Sequence, residues 1–295
     1  MWRFTTQSTL RVWQSANDFA RARSVAWGLV EQPVTLAATL TDPAVAFPGT
    51  LFRARVEHAY RAALYVREEG SGRRAVVAIE DVGGQPGGIL VRGVMDLGKV
   101  AAEGREVVVD LSAAVAWSPR LPATARSLAH RGLHVAQPEA AGDPFARAAA
   151  PRINALRLAL LSGDAQVART AALALIGLGI GLTPSGDDFL VGLLAGLEAT
   201  DNGMREALAA VIGREAPGRT TTFGAALLHH ACRGEFSQRL HDVLIATARH
   251  DRAALRHAID RAMAYGATSG ADTLAGLFLA LDVGAARVTT QKAAA

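Results

Sequence analysis

Two adjacent carboxylates, Asp187 and Asp188, close a glycine-rich run and open an apolar segment: Gly177-Leu-Gly-Ile-Gly-Leu-Thr-Pro-Ser-Gly-Asp-Asp-Phe-Leu-Val-Gly192. Backbone N–H groups at a glycine-entered helix start attract phosphate or carboxylate. The acid pair works against a bare anion, because it already occupies the positive helix end. Two ligand chemistries remove the conflict. A cation such as Mg²⁺, held by Asp187 and Asp188, would bridge to phosphate. Alternatively, an amide or carbamoyl group would offer N–H donors to the carboxylates. Asp187 and Asp188 are therefore the candidate catalytic residues, with Gly181, Thr183, Ser185 and Gly186 as candidate ligand contacts. No Lys follows the glycines, so this is not a Walker-type phosphate loop.

A second copy of the turn follows. Ser185-Gly-Asp-Asp-Phe-Leu-Val-Gly-Leu193 aligns with Ser269-Gly-Ala-Asp-Thr-Leu-Ala-Gly-Leu277 at a constant offset (269 − 185 = 84), with Ser, Gly, Asp, Leu, Gly and Leu in register. Ser269, Gly270 and Asp272 join the candidate site on that basis. Two helices with the same opening turn and the same small-residue face are expected to pair about a pseudo-twofold axis, their N-termini converging on one pocket. The plainer reading is that Ser-x-x-Asp caps a helix, with Ser185 at the N-cap and Asp188 in capping-box position, and that Gly-x-x-x-Gly packs helices. That reading leaves Asp187 and the alternate glycines 177, 179 and 181 unexplained. A third cluster, Arg219-Thr-Thr-Thr222, opens another helix; Arg219 with Thr220 and Thr221 reads as an anion clamp or, more plainly, as a Thr N-cap. His229, His230 and Cys232 point around their helix rather than to one side and do not form a metal motif. No Gly-x-Ser-x-Gly elbow and no His-Glu-x-x-His is present.

These residues must be held by two different kinds of chain. From about Val34 to Trp117 short alternating segments read as strands. They comprise a long half-buried strand over Arg53–Arg67, then Ala75–Ile79, Ile89–Val91 and Val107–Leu111, with Gly83–Gly88 as a hairpin connection. Beyond Gly142-Asp-Pro144 helical periodicity takes over, with helices near 145–161, 164–176, 186–199, 203–213, 221–233, 237–249, 251–265 and 270–282. The reading is an α+β chain with a β-rich region over 1–143, a helical region over 144–287 and a disordered tail over 288–295.

Composition bounds the function. Half of the 295 residues are hydrophobic and a fifth are charged, as in a packed globular protein. The net charge of +4 comes from 31 basic and 27 acidic residues with no basic run, and aromatics are few, which argues against nucleic acid as a partner. The single cysteine, Cys232, fits a reducing compartment. The N-terminus lacks the pattern of a secretory signal, and no apolar run reaches the roughly 20 residues that span a bilayer. The expectation is a cytoplasmic, soluble protein with no membrane partner.

The long motif ending in Leu-Thr-Pro-Ser-Gly-Asp-Asp, together with Thr220-Thr-x-x-x-Ala-x-Leu-Leu-x-x-Ala-x-x-Gly234 and Thr268-Ser-Gly-x-Asp272, resembles a bacterial family whose named member is the AllH subunit of oxamate carbamoyltransferase. The resemblance covers the C-terminal half. It implies a role in purine and allantoin breakdown, where oxalurate and phosphate give oxamate and carbamoyl phosphate. It also implies partner chains of two further kinds, one of the FdrA type. The leading expectation is a subunit of a carbamoyltransferase-like enzyme that binds a carbamoyl or phosphate-bearing small molecule at Ser185–Asp188. Two rivals are a non-catalytic partner whose Gly-x-x-x-Gly helices form a subunit interface, and a stand-alone Mg-dependent nucleotide or phosphoryl-transfer enzyme.

Overall fold

The computed structural model describes residues 33–42, 49–126, 128 and 144–294. The reading of the first residues as lacking a secretory signal lies outside them. Period-two alternation builds the N-terminal half. In β2 (Leu51–Ala59), Phe52, Ala54 and Val56 are buried while Leu51, Arg53 and Arg55 face solvent. With β1 (Val34–Thr41), β3 (Ala63–Glu68), β4 (Arg74–Ile79), β5 (Gly88–Val91) and β6 (Glu106–Asp110), it forms a sheet in the order β5-β4-β3-β2-β6-β1. A further β1–β5 pairing, Ala38 opposite Val91, closes these strands into a barrel. β7 (Val115–Ala116) pairs beside the end of β1. The interior is filled by Leu36, Phe52, Leu64, Val66, Val77, Ile89, Val107 and Val109, as a barrel of so few strands requires.

Two strand expectations are corrected. Arg53–Arg67 is not one strand but the hairpin β2–β3, turning at Tyr60, whose N–H donates to the Ala63 carbonyl at 2.9 Å. Each arm alternates, so a short turn between them leaves the pattern looking continuous. Gly83–Gly88 is not a hairpin connection, because β4 and β5 run parallel, Val77 opposite Ile89. A 3₁₀ turn at Glu80–Val82, then Gly83 and Gly87 with φ of 72° and 67°, carry the chain back to a parallel start. Residues with Cβ atoms rarely adopt those angles.

After the short α1 (Leu97–Val100), the C-terminal half contains α2 (Pro144–Ser162), α3 (Ala165–Leu173), α4 (Ser185–Ala199), α5 (Arg205–Glu215), α6 (Thr222–Cys232), α7 (Gln238–Arg249), α8 (Arg252–Met263) and α9 (Ser269–Ala294). The protein is thus α+β, a β-rich half followed by a helical half. The segment from 288, expected to be disordered, continues α9 to Ala294, and Ala295 lies outside the described residues. Ala285–Ala294 contains no Gly or Pro to stop propagation, and Arg287 ties this turn to α2 through the Leu160 carbonyl at 3.3 Å.

α4 is the axle of the helical half. All of it is buried except Glu198, and so it is apolar on every side rather than on one stripe. It packs along α9 with reciprocal contacts. A Cβ placed on Gly192 would stand 1.8 Å from the Thr273 carbonyl oxygen, and one on Gly276 would stand 1.9 Å from that of Phe189. Both pairs are related by the repeat offset (276 − 192 = 84; 273 − 189 = 84). Further along, Gly196 faces Ala280 and Gly284 faces Thr200, again 84 apart. Contacts of this kind arise when two parallel helices are related by a twofold axis between them. The small-residue faces expected by one rival reading to bind another subunit are consumed inside the chain.

The two halves are joined side by side. The Phe236 N–H donates to the Pro119 carbonyl at 2.7 Å, and Gly84 and Gln238 exchange two hydrogen bonds of 2.8 and 2.9 Å. Tyr65 of the barrel meets Phe223 of α6 edge to face, with ring centroids 4.5 Å apart. Leu121, Ala125 and Leu128 belong to the helical core although they follow the barrel strands in sequence.

Candidate functional site

The opening turns of α4 and α9 meet. Thr183 Oγ1 lies 3.4 Å from Ser269 Oγ, and Ser185 Oγ lies 3.4 Å from Thr268 Oγ1. Ser185 is the first helical residue rather than the N-cap; Pro184 occupies that position with extended backbone and makes no side-chain cap. The capping-box reading of Ser185 and Asp188 is corrected accordingly. Pro184 cannot continue a helix backwards, and its carbonyl takes the Asp187 and Asp188 N–H groups directly.

The adjacent carboxylates part company here. Asp187 is fully buried; its Oδ1 accepts from the Gly177 N–H at 2.8 Å and its Oδ2 from the Thr220 hydroxyl. Burial pushes its pKa up, and those two hydrogen bonds hold it back. Through these two bonds Asp187 ties the glycine loop to the start of α6. Asp188 is 3 % exposed, and its Oδ2 has no hydrogen-bond partner among the described residues. Burial pushes its carboxyl pKa up to about 8 against hydrogen bonds from Ser269 and Thr183, with the Asp272 carboxylate adding to the rise. At neutral pH Asp188 is therefore largely a neutral acid.

The remaining candidates divide by position. Gly177 and Gly179 serve close backbone approach: a Cβ would stand 2.2 Å from the Arg219 carbonyl oxygen or 2.7 Å from the Ser185 nitrogen. Gly186 and Gly270 likewise press on the Leu175 and Ala262 carbonyl oxygens, at 2.0 and 1.8 Å. The Gly186 N–H is taken by the Leu178 carbonyl, so it is not open to a ligand. Gly181, with φ of 100°, has open space around it, and Ile180 beside it is 94 % exposed. Thr220 serves Asp187, while Thr221 caps α6 through the Gly224 N–H at 2.9 Å. Arg219 pairs with Glu215 at 3.4 Å and stands away from Asp188's cavity. Asp272 is buried at the start of α9.

That cavity, of about 160 Å³, lies where the barrel meets the helices. The barrel half contributes Tyr65, Arg74, Val76 and the loop Gln85–Gly87; the helical half contributes Thr183, Asp188, Phe223, Arg239, Tyr265 and Gly270. Sequence reasoning missed Tyr65, Arg239, Tyr265 and the Gln85–Gly87 loop, which it read as a plain connection. One signal was available: Arg239 sits one turn before Val243 on the buried stripe of α7, where a charge is out of place. On the cavity wall, Glu235 is held below the usual carboxylate range. Burial alone would raise it, but hydrogen bonds from Arg233 (2.6 Å) and His230 (2.7 Å) outweigh that effect.

Each Asp187 oxygen already accepts one hydrogen bond, and no group of three His, Cys, Asp or Glu side chains converges among the described residues. What the cavity offers is hydrogen-bonding chemistry: one acid able to donate or accept, with hydroxyls around it. No helix among the described residues is long and apolar enough to cross a membrane.

Residues 175–281 match the model of the family described as oxamate carbamoyltransferase subunit AllH. The match begins at the end of α3, spans both opening turns and ends within α9. This is the family resembled by the motif, and its description is that of a subunit of oxamate carbamoyltransferase. Neither a curated protein nor a solved structure matches the chain.

Proposed function

We propose that this chain is the ligand-binding subunit of a carbamoyltransferase-like enzyme. Its cavity takes the carbamoyl end of a small substrate such as oxalurate or carbamoyl phosphate, in purine or allantoin breakdown. The observation that carries this reading is the buried Asp188 Oδ2, which has no hydrogen-bond partner among the described residues, on a residue that lines the cavity. A buried polar atom left unpaired costs about 1–3 kcal/mol, and a ligand hydrogen bond removes that cost. In its neutral form Oδ2–H donates to a carbonyl oxygen; ionised, the same oxygen accepts an N–H. A carbamoyl group presents both.

In the reaction assigned to the family, a phosphate oxygen attacks the carbamoyl carbon of oxalurate. The C–N bond to the oxamate nitrogen breaks, and the phosphate proton ends on that nitrogen. An acid with a pKa near working pH is suited to such a transfer, and in this reading Asp188 takes that part. Hydrogen bonding from Ser269 and Thr183 to its carboxyl works against the rise in its pKa. The partner chains of the assembly, an FdrA-type chain and a third kind, would complete the site.

Thermal unfolding of the purified chain against phosphate, carbamoyl phosphate, oxamate and ATP, each with and without Mg²⁺, tests the reading. A ligand at 100 times its dissociation constant stabilises by about 2.7 kcal/mol. Stabilisation by carbamoyl phosphate or oxamate that disappears in Asp188→Ala is expected. Equal stabilisation of that variant, or a response to ATP alone, would overturn it.

A further inference from the structure

We infer that Arg239 is an anion seat in the cavity, receiving a carboxylate or phosphoryl oxyanion at one end of the ligand while Asp188 faces the other. Arg239 is 8 % exposed, its Nη1 has no hydrogen-bond partner, and it makes no ion pair among the described residues. Its guanidinium carbon lies 4.2 Å from the centre of the Tyr265 ring, which fixes the plane of the fork without using its N–H groups. The nearby acid on the same helix, Asp242, is turned to Arg261 at 3.5 Å.

The other charged groups of the cavity wall are committed. Arg74 is bound twice to Glu57, at 2.7 and 3.0 Å, and Glu235 is bound by Arg233 and His230. Arg239 therefore stands apart as a buried cation whose hydrogen-bonding capacity is unspent. Removal of a charge from water is unfavourable unless it is paired, and burial accordingly depresses the Arg239 pKa. An anionic ligand supplies the missing partner, and a planar carboxylate matches the fork in two parallel hydrogen bonds. At about 160 Å³ the cavity has room for a small organic anion. This assignment rests on the reading of the cavity as a ligand site and adds its charge selectivity.

The test uses the full chain with three probes: oxamate, its neutral amide counterpart oxamide, and inorganic phosphate. Calorimetry and thermal unfolding are run on wild type, Arg239→Met and Arg239→Lys. Wild type is expected to bind oxamate at least tenfold more tightly than oxamide. Arg239→Met is expected to lose that preference and, without ligand, to unfold at a higher temperature than wild type, because an unpaired buried charge is gone. Arg239→Lys keeps a point charge without the fork. If the ligand anion is a carboxylate, this variant loses oxamate more than phosphate; if it is a phosphoryl group, phosphate is lost by the larger factor. Oxamate binding of equal strength in wild type and Arg239→Met overturns the anion seat while leaving the cavity reading intact. A wild type that responds to none of the probes overturns both.

Discussion

Substitution of Gly192 by Ala tests the α4–α9 pairing on which the whole site depends. A Cβ at 192 would lie 1.8 Å from the Thr273 carbonyl oxygen, 2.7 Å from its carbon and 2.9 Å from the Leu277 nitrogen. Favourable contact begins at about 3.5 Å, so the helices must separate locally by roughly 1.7 Å. The obstacle is backbone and cannot rotate away. Because the contact is reciprocal, the separation also loosens Gly276 against Phe189. Overpacking of a core costs about 1–3 kcal/mol and occasionally more. Replacement of Gly by Ala in a helix returns up to about 1 kcal/mol. Because the obstacle is backbone, the upper end of that cost applies, and the net expectation is a loss of about 2 kcal/mol. Gly213→Ala is the matched control: its Cβ would meet only Cys232, no closer than 3.6 Å, so the propensity gain of about 0.5–1 kcal/mol should appear alone. Urea unfolding followed by circular dichroism reads both. A gap of about 3 kcal/mol between the variants is expected. Gly192→Ala within about 1 kcal/mol of wild type, or both variants moving the same way, would refute the reciprocal packing.

Three further outcomes follow from the site. Asp188 keeps a proton in the folded chain up to about pH 8, whereas its ordinary value is 3.8. The folded state thus holds more protons across that window, and stability falls as pH rises through it. From pH 5 to 8 the fall reaches about 4 kcal/mol at most; Asp188→Asn should flatten it, and parallel urea titrations would show whether the two pH profiles differ. Asp187→Ala removes the partner of the Gly177 N–H and the Thr220 hydroxyl. A loss of about 2–4 kcal/mol and faster proteolysis within 177–183 are expected, and an unchanged midpoint would argue against the tie. Burial pushes the Cys232 thiol up to about 11, so iodoacetamide at pH 8 should label unfolded chain quickly and native chain slowly; equal rates would contradict that burial.

Strand alternation and helical periodicity are properties of neighbouring residues, and the α+β order of the chain was legible in them. So was the likeness of the two turns that open helices at Ser185 and Ser269, because glycine spacing and repeated acids are written in one dimension. The repeat even carried the pairing of α4 with α9, since identical small-residue faces suit a symmetric contact. Sequence could not separate Asp187 from Asp188. Successive helical residues point about 100° apart, and only the tertiary structure turns one to Gly177 and Thr220 and the other to a cavity. Nor could it show that Gly83–Gly88 joins parallel strands, which depends on how the barrel closes. Arg239 and Tyr65 lie far from the motif in sequence. Their part in the site comes from the barrel and the helical half being packed together, and that is a contact between distant segments that no local pattern encodes.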